Sequence, residues 1–263
     1  MDVYDFAPAF QKAGATPAVT SASLRDMARL GVRTLYLQAA QDDRRSEGDV
    51  VSRSLVGEFL VRAHRAGLRV VAWYLPHFAD VDADLQRVVA LRDFRAKGER
   101  FDGIALDIEW TDDVPNAAVR NARLVSLSDR LRDATRGVPL GAIVYPPVLL
   151  EDVNPKLWPD FPWKRLAPRY DVWLPMAYWT LRSPSSPLHD AGTYTTETVR
   201  RLRADLGADD APVHVIGGIA DASTADDDAA FVRAARAAHA VGWSTYDFDT
   251  THSDAWPRLR AGS

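Results

Sequence analysis

Phe101-Asp102-Gly103-Ile104-Ala105-Leu106-Asp107-Ile108-Glu109-Trp110 decides how the rest of the chain is read, because it has the pattern of a buried strand that ends in two acids. Side chains of a strand alternate between faces, which puts Ala105, Asp107 and Glu109 on one side and Leu106 and Ile108 on the other. Two residues of extended chain separate the Asp107 and Glu109 Cα atoms by roughly 6.6 Å. At that spacing each carboxylate raises the other's pKa and favours a proton on one of them. A protonated acid beside an ionised one is what acid catalysis requires. The plainer alternative ends the strand near Leu106 and leaves both acids solvated in a loop or paired with an arginine.

Working outward, short apolar runs recur at 3–6, 34–39, 69–75, 140–145, 172–178, 213–216 and 243–248. Helical patterns lie between them at 24–30, 50–66, 83–97, 117–136, 196–206 and 225–241. Near-continuous apolar strands separated by helices mark a parallel sheet covered on its outer face. Glycines such as Gly207 and Gly242 stand where helices are expected to stop. Ser223, followed by Thr224 and Asp226 to Asp228, supplies a cap oxygen and negative charge for a helix start. Six prolines between Pro146 and Pro168 argue against a long helix there, so an elaborated loop is expected with one short helical turn near Trp163. A second long loop is expected from Leu181 to Tyr194, and long loops in compact domains are usually functional.

The 263 residues match the size of one barrel of eight strand–helix units. The fold class expected is therefore α/β, a single (β/α)8 TIM barrel spanning residues 1–263, with an elaborated loop after strand 5. An open doubly wound sheet is the alternative, but no G-x-G-x-x-G follows the first strand.

Composition narrows the partners. A formal charge of −4 without a long basic run argues against nucleic acid or an anionic membrane. No apolar run approaches the length that spans a bilayer, so a soluble protein is expected, and a monomer is the expected state. Cysteine is absent, which excludes disulfides, a zinc-thiolate site and a cysteine nucleophile. No basic and apolar leader precedes the first strand, so the chain is expected either inside the cell or secreted with its leader already removed. No metal or organic cofactor is implied.

Active sites of such barrels gather at the C-terminal ends of the strands. Residues at or just beyond those ends are Asp5, Gln38, Gln41, His77, Asp107, Glu109, Tyr145, Met176, Tyr178, Asp221, Asp247 and Asp249, an acidic and aromatic set poor in lysine and arginine. It suits a neutral polyhydroxylated substrate, whose hydroxyls donate to carboxylates and amides while Trp110, Tyr145 or Trp179 stack on a sugar ring. His77 without a patterned partner reads as a cleft-lining or solvated residue rather than a metal ligand.

Asp102-Gly103-x-x-x-Asp107-x-Glu109 resembles the fourth-strand motif of the chitinase-like glycoside hydrolases of family 18, D-G-x-D-x-D-x-E, and Met176-Ala177-Tyr178 resembles that family's M-x-Y on the sixth strand. The resemblance implies a glycosidase acting on an N-acetylhexosamine glycan. Glu109 would protonate the leaving oxygen, Asp107 would orient the N-acetyl group and Tyr178 would hydrogen-bond it. Two positions depart from the pattern: Ala105 replaces the middle aspartate, and Trp179 stands where an aspartate often follows the tyrosine. A looser resemblance is to the lysozyme-like barrels of family 25, with acids on the first, fourth and last strands, to which Asp5, Asp107, Glu109 and Asp247 could answer. Asp5 and Asp247 are accordingly the candidates for an opposing acid.

Two other functions stay open. A non-catalytic carbohydrate-binding barrel would keep the cleft and lose the chemistry, as Ala105 allows. A sugar-phosphate barrel would place a phosphate at Gly217-Gly218 after the seventh strand.

Overall fold

The computed structural model describes residues 1–4, 6–12 and 15–260. Among them eight strands, β1 (Asp2–Val3), β2 (Thr34–Ala40), β3 (Arg69–Tyr74), β4 (Gly103–Ile108), β5 (Leu140–Val144), β6 (Val172–Pro175), β7 (His214–Ile219) and β8 (Gly242–Tyr246), alternate with helices. The helices are α1 (Leu24–Arg29), α2 (Arg53–Arg65), α3 (Val81–Asp93), α4 (Ala117–Ala134), α5 (Trp163–Leu166), α6 (Ala191–Leu206), α7 (Ala225–Ala237) and α8 (Trp256–Arg260).

β1 to β6 pair in sequence order as one parallel sheet, and β7 pairs in parallel with β8. Where a continuous ring of eight was expected, the described residues thus form a six-stranded sheet and a two-stranded ribbon. Parallel bridges Trp173↔Val213 and Met176↔Ile216 run between the sixth and seventh segments, and Phe248 N–H donates to the Asp2 carbonyl at 3.3 Å on the other side. Trp73, Ala105, Ile143, Leu174, Met176 and Ile216, from β3 through β7, belong to one packed cluster. Strands that far apart in a flat sheet would stand about 19 Å from each other, so the sheet is strongly curled.

The outer face carries the main core. Leu35, Leu37, Val70, Ala72, Leu106, Ile108, Ala142 and Val144 are fully buried under the helices. All six residues of β4 are buried, as a strand covered on both faces requires.

Two acids pin strand starts. Asp102 Oδ2 accepts the Val70 N–H at 2.7 Å and meets His64 Nε2 at 3.0 Å, while His64 Nδ1 meets Glu99 at 2.7 Å. Asp171 Oδ2 accepts the Leu140 N–H at 2.7 Å and pairs with Arg132. Asp102 therefore works at the opposite end of β4 from Asp107.

Several boundaries differ from expectation for identifiable reasons. The first strand is Asp2–Val3 rather than 3–6; Val3 and Phe6 both join the outer core, which leaves Asp2 and Tyr4 to face inward. Gly207 caps α6 with φ 67°, as expected, but Gly242 opens β8, and the reversal after α7 is made at His239 with φ 51°. A Cβ on Gly242 would stand 2.6 Å from His214 Nδ1, so close ring packing is what glycine permits there. Helix α6 starts at Ala191, capped by Asp190, and shortens the loop that precedes it. Thr224 and Asp227 form a capping box on α7.

The proline-rich stretch carries a π turn (Leu149–Val153) and α5. It is stapled to α4: Trp158 Nε1 donates to Asn121 Oδ1 at 2.6 Å, Asn121 Nδ2 donates to the carbonyls of Pro159 and Asp160, and the Arg120 guanidinium lies 4.3 Å over the Trp158 ring.

Candidate active site

β4 delivers Asp107 and Glu109 together. Both line a cavity of about 340 Å³ on the inner face of the curl, with Asp2, Tyr4, Tyr36, Gln38, Trp73, Tyr178 and Tyr246 around it and Ile143, Leu174, Met176 and Ile216 beneath. No lysine or arginine lines it.

Asp107 is 7% exposed, and its Oδ1 is buried with no hydrogen-bond partner among the described residues. Burial drives its pKa well above the usual carboxylate range, and the charges of Glu109 and Asp2 push the same way. Burial also raises Glu109. Asp2 is pushed up to about 7, chiefly by burial, against the pull of the Trp73 indole N–H that donates to its Oδ1 at 2.8 Å. Three carboxyls with raised pKa values share one cavity, an arrangement that favours holding a proton among them, the state from which an acid can donate.

The remaining predicted residues divide. Gln38 lines the cavity and accepts from Gln41 Nε2 at 2.6 Å. Tyr178 is in the lining, 5.8 Å from the Tyr246 ring, and burial raises its pKa well above the phenol range. Tyr145 stands beside the acids, its hydroxyl donating to the Glu109 carbonyl at 3.3 Å. Trp110 and His77 stack face to face at 4.4 Å and 7°, with His77 Nδ1 2.9 Å from Asp113. His77 is positioned from below by Asp84, which accepts the Phe78 N–H at 3.0 Å and the Tyr74 hydroxyl at 2.5 Å and so holds Phe78 at φ 61°.

Among the described predicted positions, His77, Trp110, Tyr145, Trp179 and Asp247 do not line the cavity. Trp179 is 1% exposed and packs on Phe231 at 5.2 Å, beside Gly218, so it belongs to the layer under α7 and has no face for a sugar. With Leu174, Met176 and Tyr178 facing the cavity, alternation past the end of β6 turns Trp179 to the outer side, where a short 3-10 turn over Trp179–Leu181 begins. Asp247 is 5% exposed, with Oδ1 taken up by the Thr250 N–H and hydroxyl at 3.0 and 3.1 Å, and is absent from the cavity lining. Asp5 lies outside the described residues. The acid contributed by the first strand is Asp2, which sequence reasoning passed over together with Tyr4, Tyr36, Trp73 and Tyr246. The signal for Asp2 was its two-residue spacing from Tyr4, readable once Val3 is assigned to the core.

Gly217 and Gly218 lie within β7, and added Cβ atoms would meet the Phe231 ring at 2.7 Å and Trp179 at 2.9 Å. They are glycines for close packing, which removes the basis for a phosphate site there. None of residues 146–168 lines the cavity, so the proline-rich loop covers α4 rather than walling the site. Ala105 lies in the apolar floor, between Trp73 of β3 and Gly141 of β5 in register. Among the described residues no group of three or more histidine or acid side chains is arranged to hold a metal ion.

No family model matches the sequence, and no curated protein matches it. Solved structures do match. A chitinase from Chromobacterium violaceum superposes with a TM-score of 0.66 at 14% identity, over 92% of this chain and 94% of that one. The fold is that of the chitinase-like hydrolases. A family 18 chitinase from Cycas revoluta in complex with (GlcNAc)3 gives 0.63 at 15% identity, over 90% of this chain and 94% of that one. A chitinase-like agglutinin from Robinia pseudoacacia shares the chitinase-like fold at 0.61 and 12% identity, over 90% and 96%. At such identities the likeness is one of fold, and it spans hydrolases and a lectin alike.

Proposed function

We propose that the eight strands close into one (β/α)8 barrel forming a single domain, and that its acid-lined bowl is the active site of a glycoside hydrolase. The substrate is a glycan containing N-acetylhexosamine, of the kind found with the Cycas revoluta chitinase. Glu109 is the general acid/base, Asp107 its partner, and Tyr178 a hydrogen-bond donor to bound sugar. The observation that carries this reading is the pair Asp107 and Glu109, both with raised pKa values, opening into a cavity lined by tyrosines and Trp73 and free of cationic side chains.

Glu109, kept protonated by burial, gives its proton to the oxygen of the scissile bond as that bond breaks. The positive charge that develops on the sugar ring is stabilised by ionised carboxyl oxygen at Asp107 or Asp2. Trp73 and the tyrosines offer ring faces to the sugar and hydroxyls to its polar groups. Gln38 supplies a further acceptor and donor at the edge.

Hydrolysis of GlcNAc oligomers and of chromogenic glycosides by the native chain and by Glu109→Gln tests the proposal. A loss of about 10²- to 10⁴-fold in kcat is expected for the variant. Unchanged turnover removes Glu109 from the mechanism. The methyl group of Ala105, packed in the apolar cluster beneath the cavity, with an agglutinin among the structural neighbours, favours a second reading as a carbohydrate-binding protein. Binding of GlcNAc oligomers by the native chain with no bond cleavage over days would decide for it.

A further inference from the structure

Asp107 faces two other carboxyls of the cavity lining, Glu109 from its own strand and Asp2 from β1. Asp2 is in register with Tyr36 of β2, and its Oδ1 is fixed by the Trp73 indole. Trp73 is 6% exposed and is the cross-strand neighbour of Ala105 on β4. The β4 face that carries Asp107 and Glu109 thus presents a methyl group two residues before Asp107, and the next carboxyl arrives from another strand, anchored by the tryptophan beside that methyl.

Resting on the glycosidase reading above, we propose that Asp2 is a positioning residue of this site: held by the Trp73 indole, it sets the charge felt by Asp107 and so decides whether Asp107 or Glu109 carries the cavity's proton.

The surroundings support the assignment. Asp107 Oδ1 has no donor, and no cationic side chain lines the cavity, so neighbouring negative charge is what adjusts its protonation. The groups acting on Asp2 come from several elements. Burial pushes the Met1 amine down to about 5, so it carries little charge where Asp2 titrates; the Trp73 N–H favours the ionised form of Asp2, and burial and the Asp247 charge oppose it. Tyr36, Tyr178 and Tyr246, whose buried hydroxyls have raised pKa values, stay neutral through the working range. Asp2 titrates at about 7, so its charge appears on Asp107's horizon as pH rises through neutrality and keeps the proton on Asp107. Below that point Asp2 is neutral and Asp107 ionises more readily.

Carboxyl 13C NMR titration of Asp107 in Asp2→Asn and in Trp73→Phe tests this, alongside the pH dependence of kcat/KM on a chromogenic GlcNAc oligomer. In Asp2→Asn the Asp107 midpoint is expected to fall by about one pH unit, with the acid limb of the rate profile moving in the same direction. Trp73→Phe, which removes the donor favouring ionised Asp2, is expected to raise the Asp2 midpoint and lower that of Asp107. An Asp107 midpoint unmoved by Asp2→Asn overturns the assignment. If Glu109→Gln abolishes turnover while Asp2→Asn leaves titration and profile untouched, the Asp2 role falls and the glycosidase reading stands. If the native chain cleaves no glycan yet the Asp107 titration moves, the enzyme reading falls and the link between the two carboxyls stands.

Discussion

Ionising Asp107 costs the fold, because the charge must form in a nearly closed space where one carboxyl oxygen meets no donor. The sign follows from linkage. A carboxyl whose folded pKa lies above its unfolded value binds more protons in the native state, so stability falls as pH rises from the ordinary value of 3.8 through the raised one. Asp107→Asn is therefore expected to raise Tm at pH 7 to 8, with the gain vanishing near pH 3, while turnover drops. Thermal melts across that range check it, and a lower Tm at pH 8 in the variant would contradict it. Asp107 and Glu109 were legible in the sequence because two acids spaced by two interrupt an apolar run, and alternation fixes their common face. Trp179 and Asp2 were not. Asp2 sits where a strand end decides parity, and a shift of one residue exchanges inside for outside; Trp179 follows an inward Tyr178, so its outward side shows only once that neighbour is placed. Val3 looks the same at either boundary of the first strand; only its burial under the helices shows that Asp2 faces inward.

Single elements are held in place by buried or half-buried acids, and these can be tested one at a time. Asp84 in α3 is 1% exposed and satisfies both the Tyr74 hydroxyl and the Phe78 N–H, which fixes the turn carrying His77. Asp84→Ala leaves both donors without that acceptor and is expected to cost about 2–3 kcal/mol, or about 4–10 °C in Tm. Urea unfolding measures it, and a change below about 0.5 kcal/mol would show that the turn is held by something else. His64 of α2 bridges Glu99 and Asp102; partial burial lowers its pKa, but the two hydrogen bonds outweigh this and leave it raised above 6.5. Its ionic contribution is complete below pH 6.5 and is lost as pH rises through the folded value. The Tm gap between the native chain and His64→Ala should therefore narrow from pH 6 to pH 9, and a gap that widens would place the stabilisation elsewhere. The strand and helix pattern was readable because apolar runs and helical periodicity repeat cleanly. The clamp formed by Asp102 was not, since sequence shows an acid before Gly103 and nothing of the Val70 N–H it accepts.

At the scale of the whole molecule, curling the sheet converts one strand's alternation into a site. Asp2, Asp107 and Tyr178 are far apart in sequence and meet because β1, β4 and the segment after β6 share one inner face. Solved chitinase-like structures share the fold at 12–15% identity, as a fold set by the placement of apolar faces more than by particular side chains allows. The proline-rich stretch after β5 shows where whole-chain reasoning from sequence stops: its length pointed to a functional loop, yet Trp158, Asn121 and Arg120 bind it down over α4, a contact between segments that composition does not encode. The central claim is that the cavity bearing residues 2, 107 and 109 receives the glycan. The crystal structure of Glu109→Gln soaked with a GlcNAc tetramer tests it most directly. The expected result is sugar density in that cavity, with a glycosidic oxygen within hydrogen-bond distance of residue 109 and a ring against Trp73 or Tyr178; an empty cavity, or sugar bound only on the helical exterior, would contradict it.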